Sequence, residues 1–160
     1  MKSILISLIL SINIFASTNT TSTESKEYAS LLVQTIEQKL PIINEFYEIR
    51  TVSRINKQIY LSMFLNTESI KAKLNRKMEL LDWKKERKFV AVAINDMLKE
   101  ELCFDKDINF VLNKNISFQY QVNLDIDIKI DNIEIDINTC KDYIENLDKE
   151  VKWLKNLITL

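Results

Sequence analysis

Apolar residues along the chain switch between two periods, and the switches divide it into elements. Tyr28, Leu31, Leu32, Ile36 and Leu40 recur at the helical interval from about Glu24 to Leu40, with Thr21 and Glu24 placed to form a capping box. Pro41 closes that helix, because the residue before proline is pushed out of the α region. Phe46 to Val52 and Gln58 to Asn66 are rich in β-branched and aromatic residues, and the polar segment between them, with Asn56 near its turn, predicts a hairpin. Ile59, Leu61, Met63 and Leu65 fall on one face of its second strand, and Tyr60 and Phe64 on the other, so both faces are expected to be partly covered.

From Glu68 to Leu102 the period is helical again. One stripe is Ile70, Leu74, Met78 and Leu81, and another is Val90, Ile94, Met97, Leu98 and Leu102; together they predict two helices, or one bent near Asp82 to Lys85. A short helix over Lys106 to Leu112, capped by Asp105, follows. Asn115 to Ile137 alternates too long for one strand. It predicts a second hairpin turning near Asn123 to Asp127, with a bulge near Asp131 and Asn132 where the phase shifts from Ile130 to Ile133. A last helix is expected to start with Thr139 as cap, answered by Asp142, and to carry Ile144, Leu147, Val151, Leu154 and Ile158. The order α-ββ-α-α-ββ-α predicts an α+β fold: an antiparallel sheet of two β-hairpins packed with N-terminal, middle and C-terminal helices.

The first residues change where this domain is expected to work. Lys2, an apolar run from Ile4 to Phe15, then Ala16 and Ser17 follow the pattern of a signal peptide, and the run is shorter than the roughly 20 residues of a membrane-spanning helix. The expected division is residues 1–16 as signal peptide, 17–25 as a flexible Ser/Thr-rich leader and 26–160 as a single domain, periplasmic or secreted. No Cys follows the apolar run, which argues against a lipid-modified N-terminus. In an oxidising compartment the two cysteines, Cys103 and Cys140, are expected to pair; closing that loop is worth roughly 3 to 4 kcal/mol. A redox role is the alternative, favoured by the position of Cys140 near a helix N-terminus but lacking the Cys-x-x-Cys spacing.

Composition then removes whole chemistries. The 160 residues include no Gly and no His. Phosphate-cradling loops, dinucleotide turns and nucleophile elbows need Gly, and Ser-His or Cys-His pairs and imidazole zinc sites need His. Asn and Asp are expected at turns where Gly would otherwise serve. With a formal charge of −1, nucleic acid is not an evident partner. No catalytic residue, metal site or cofactor is assigned. Asp125, Asp127, Asp131, Glu134 and Asp136 alternate with Ile and read as the outer face of a hairpin rather than a calcium loop. Glu45, Glu48 and Tyr60 are candidates to line a cleft. Lys71, Lys73, Arg76, Lys77, Lys84, Lys85, Arg87 and Lys88 make the middle helices basic, a possible partner-binding surface against the plainer reading of a solvated face.

On Leu40-Pro41, Glu45, the turn at Asn56, Tyr60, Cys103, Leu112, Tyr120 and Cys140, in that order between roughly Leu31 and Lys141, the chain resembles a family of small exported bacterial proteins of unknown function. It has Lys57, Asn115 and Asn44 or nearby substitutes where that family has Gly in its hairpins and an Asp after the Leu-Pro segment. A looser similarity is to the α+β pilotins that escort secretins of protein-export machines. The resemblance implies no activity. The expected function is a non-catalytic exported domain that binds an envelope or secreted protein or assists envelope assembly, with a sheet edge that accepts a partner strand. The alternatives are a periplasmic enzyme using carboxylate or Lys chemistry and a thiol-redox protein.

Overall fold

The computed structural model describes residues 22–73, 83–126 and 128–158. The expected signal peptide, the first part of the leader, the cap residue Thr21 and the stripe residues Leu74, Met78 and Leu81 lie outside them. The described elements, in chain order, are α1 (Ser22–Glu37), β1 (Ile42–Ile43), β2 (Tyr47–Ile55), β3 (Gln58–Leu65), α2 (Thr67–Lys73), α3 (Trp83–Cys103), α4 (Lys106–Asn113), β4 (Ser117–Asp125), β5 (Ile128–Ile135) and α5 (Ile137–Ile158). The fold is α+β, as the periodicity predicts. Helix α1 begins at Ser22, inside the segment read as leader, and Ser25 on its first turns is already buried.

The strands form one sheet in the order β1-β2-β3-β4-β5. Both expected hairpins are present and antiparallel, β2 with β3 and β4 with β5. The sheet as a whole is mixed rather than antiparallel, because β3 and β4 run parallel at its centre. A two-residue turn can only reverse the chain, whereas the long helical connection through α2, α3 and α4 carries it back to the end from which β3 started. A strand too short to show in the sequence pattern, β1, adds antiparallel to β2 through Ile42 opposite Ile49 and Ile43 opposite Glu48.

Local chemistry explains the boundaries. The Leu40–Pro41 bond is cis and the chain turns there out of α1. Asn44 Oδ1 then accepts from the backbone N–H groups of Phe46 (2.7 Å) and Tyr47 (2.8 Å), a side-chain turn that launches β2. Asn56 and Asn115 both hold φ at 56°, the left-handed conformation that glycine would normally take, so Asn does serve at these turns. Asp105 caps α4 as expected, accepting from Asp107 and Ile108 at 2.9 Å each. The cap of α5 differs. Asp136 Oδ1, not Thr139, is the acceptor, taking the N–H of Thr139 at 2.6 Å, and the helix starts three residues earlier than a Thr139 cap would place it.

Alternation sorts the strand residues into two faces. Tyr47, Ile49, Val52, Ile59, Leu61, Met63, Leu65, Phe118, Tyr120, Val122, Ile130, Ile133 and Ile135 are buried, in one core with Leu32 and Ile36 of α1, Val90, Ile94, Leu98 and Leu102 of α3, and Ile108, Val111 and Leu112 of α4. The phase shift in β5 is real: Asp131 and Asn132 are both exposed between buried Ile130 and Ile133, and the register against β4 slips between Val122 and Asn123. Ile126 and Ile128, which share the parity of Ile130, nevertheless lie exposed at the hairpin tip. Cys103, at the end of α3, and Cys140, in the first turn of α5, are joined (S–S 2.02 Å) and lie 0% and 1% exposed.

Candidate functional site

The face of the sheet opposite the helices is built from the alternate residues of the same strands. Two cross-strand rows dominate it: Ser53, Tyr60, Gln119 and Glu134, and Thr51, Ser62, Gln121 and Asn132. Every one of these side chains is exposed or half-buried. They leave a shallow depression of about 250 Å³ lined by Thr51, Ser53, Tyr60, Leu61, Ser62, Gln119, Gln121 and Asn132. Its polar groups are hydroxyls and amides, with no carboxylate, lysine or arginine among the lining residues.

A side-chain network holds this surface. Gln58 Nε2 donates to Glu134 Oε1 at 2.9 Å, reaching diagonally over β4, and the Tyr60 hydroxyl donates to Gln58 Oε1. Beyond the second row, Asn123 is buried; its Nδ2 donates to the Gln121 carbonyl at 3.0 Å and to the Met63 carbonyl at 3.3 Å. The Arg50 guanidinium lies 4.1 Å from the centroid of the Phe64 ring and donates to Glu48 Oε2 at 2.9 Å. Arg50 is the bulge residue of β2, standing where the register against β3 shifts between Ile49 and Thr51.

The edge beside the depression is open. β1 pairs only with Glu48 and Ile49, so β2 from Thr51 to Ile55 has no strand on its outer side among the described residues. At the other end of the sheet β5 likewise has no outer strand among the described residues, and there the Nε of Arg87 on α3 donates to the carbonyl of Ile130 at 2.7 Å, tying helix to strand at one point.

The other candidates fall out as follows. Lys71 and Lys73 sit on α2 and Lys84, Lys85, Arg87 and Lys88 on the first turns of α3; Arg76 and Lys77 lie outside the described residues. Arg87 and Lys88 are exposed. Of Glu45, Glu48 and Tyr60 only Tyr60 lines the depression. Asp131 and Glu134 are exposed, and no group of three potential metal ligands occurs among the described residues. Asp136 is a helix cap, its carboxyl held below the usual carboxylate range chiefly by the Thr139 N–H. Burial of both sulfurs denies an outside thiolate a line of attack on the Cys103–Cys140 bond. Tyr120 is an inner-face residue whose buried hydroxyl has no hydrogen-bond partner among the described residues; burial, then the nearby Tyr47 and Glu101, pushes its ionisation well above the ordinary tyrosine range. Thr51, Ser53, Ser62, Gln119, Gln121 and Asn132 were not singled out from the sequence. The signal for them was present: Gln119 and Gln121 flank Tyr120 with neutral amides where a solvated strand face more often carries charge.

This architecture occurs in other solved structures. The fold is shared with two pilotins. The type II secretion system pilotin AspS from Vibrio cholerae superposes with a TM-score of 0.57 at 16% identity, over 74% of this chain and 94% of that one. The pilotin EpsS of the Vibrio vulnificus type 2 secretion system gives 0.54 at 13%, over the same shares. A protein of Pseudomonas aeruginosa proposed to be secreted gives 0.55 at 10% identity, over 78% of this chain and 99% of that one. The resemblance to small exported proteins and to pilotins thus holds for the pilotin-like fold itself. No family model matches the sequence, and no curated protein does.

Proposed function

We propose that the protein is a non-catalytic accessory of envelope assembly, exported from the cytosol, that holds a protein partner by adding one of the partner's strands to β2. The single observation that carries this reading is the edge from Thr51 to Ile55, unpaired among the described residues, beside a neutral, hydrogen-bonding depression. An exposed edge offers a row of backbone donors and acceptors, and main-chain pairing supplies affinity while neighbouring side chains supply selectivity. The pilotin-like fold supports the same class of role, because two of the proteins that share it are components of secretion systems. A depression without carboxylate or amine gives the carboxylate or Lys enzyme nothing to work with there, and a buried disulfide gives the redox reading no exposed sulfur.

Photocrosslinking tests the proposal. A photoreactive residue in place of Ser53 should capture one envelope protein, identified by mass spectrometry, and the same residue in place of exposed Lys141 on α5 should not. Equal capture from both positions, or capture only from Lys88 on the basic helix, would overturn it.

A further inference from the structure

The open stretch of β2 is not chemically uniform, and its side chains prescribe what a partner strand must carry. β1 stops short for a simple reason: after Ile42 opposite Ile49, the next residue to face β2 would be Pro41, which has no N–H to give. Two residues of β1 nonetheless show that this edge accepts an antiparallel strand. Beyond the Arg50 bulge, Thr51 and Ser53 line the depression, and Ile55, 62% exposed, continues their face. Val52 points the other way, into the core, at the end of the buried row Val52, Leu61, Tyr120, Ile133. Arg54 shares the parity of Val52 but lies exposed near the hairpin end. Its Nη1 donates to the Asn56 carbonyl at 2.7 Å, and among the described residues no carboxylate lies within ion-pair distance of it.

Side chains directly opposite one another on paired strands interact, and opposite charges there are favourable. Resting on the strand-addition reading, we infer that the partner segment is an extended run carrying, from its N-terminus, an apolar residue opposite Ile55, an acidic residue opposite Arg54, a hydroxyl or amide residue opposite Ser53, an apolar residue opposite Val52 and a second hydroxyl or amide residue opposite Thr51. The acidic position answers Arg54, the cation of the open edge that has no acidic partner among the described residues. The two neutral polar positions meet the rim of a depression that has no charge to offer, so a charged side chain there would lose hydration without gaining a counter-ion. The apolar position extends a core row by one residue.

The test uses the full, disulfide-intact chain and three fluorescent twelve-residue peptides. They share flanks and differ in their cores: Val-Glu-Thr-Val-Gln, Val-Lys-Thr-Val-Gln and Val-Glu-Thr-Pro-Gln. The first is expected to bind by anisotropy and to protect the outward-pointing amides of Val52 and Arg54 from hydrogen exchange, the second about fivefold more weakly, and the third not at all, since Pro removes a ladder donor. In Arg54→Glu, checked for an unchanged circular dichroism spectrum, the preference between Glu and Lys cores should reverse, and in both proteins it should shrink with added salt. Equal affinity for the Glu and Lys cores, a preference that survives Arg54→Glu, or protection away from β2 would overturn the inference. Crosslinks from Ser53 together with equal affinity for both cores would discard the acidic pattern and leave the strand-addition reading standing. If Ser53 captures nothing and no peptide binds, both are lost.

Discussion

The two faces of the sheet are written in the same three or four strands by alternate residues, and they are built for opposite purposes. Across one row Val52, Leu61, Tyr120 and Ile133 are sealed beneath the helices; across the next, Thr51, Ser62, Gln121 and Asn132 stay in contact with solvent. Inner side chains gain from leaving water and lose heavily when a cavity opens. Outer side chains gain little for the fold, so their identity is free to answer to something else, and around the depression it is neutral and hydrogen-bonding, with Glu134 and the Glu48–Arg50 pair lying outside its lining. The contrast teaches that stability and recognition are separable in this protein by the parity of a residue along its strand.

The largest expected effects lie on the inner face. Leu61→Ala should cost about 2 to 5 kcal/mol in urea unfolding, whereas Gln121→Ala, nearly opposite in the depression, should stay within about 0.5 kcal/mol and affect only partner capture. Comparable losses from both would break the comparison. Next comes the staple behind the inner face: the double replacement of Cys103 and Cys140 by Ser should remove roughly 3 to 4 kcal/mol, read as a lower urea midpoint, with Ser53 crosslinking intact at low temperature.

Tyr120→Phe sharpens the contrast from the other side. Its buried hydroxyl has no partner among the described residues, so deleting it should leave stability unchanged or raise it by about 1 kcal/mol. The pH dependence follows from the raised ionisation of Tyr120. Below the ordinary tyrosine value of about 10 both folded and unfolded chains keep the proton; above it the unfolded chain releases the proton while the folded one holds it to higher pH, so stability falls as pH climbs, and Tyr120→Phe should flatten that alkaline limb. The smallest effect is expected at Asp136. Asp136→Ala should cost about 1 kcal/mol in urea unfolding. Because its folded value is lowered, the wild-type advantage is complete above the ordinary carboxylate range and disappears as pH falls through the folded value, so acid titration of the two proteins should converge.

Periodicity made most of this fold legible. Helices α1, α3 and α4, both hairpins and even the slip in β5 show in the spacing of Ile, Leu and Val, because each has a buried side that demands apolar residues at fixed intervals. The parallel pairing of β3 with β4 does not show, since it depends on where a helical crossover returns the chain and not on any residue within the strands. β1 is two residues long and has no period to read. The α5 cap was misplaced because Asp136 continues the alternation of Asp and Ile through β5 and is indistinguishable, in pattern alone, from its strand neighbours. The candidate site was the least legible part. Its residues are ordinary amides and hydroxyls, and what makes Thr51 and Ser53 notable is the missing strand beside them, a property of the sheet's outline.

Asn56 and Asn115 stand two residues ahead of β3 and β4, the parallel pair at the centre of the sheet, whose first residues Gln58 and Ser117 face each other. A gene that encodes no glycine has left both of these launching points to an amide that tolerates a left-handed backbone. Saturation mutagenesis should therefore find two narrow sinks in otherwise permissive loops, where Gly and Asp survive and every branched side chain is purged.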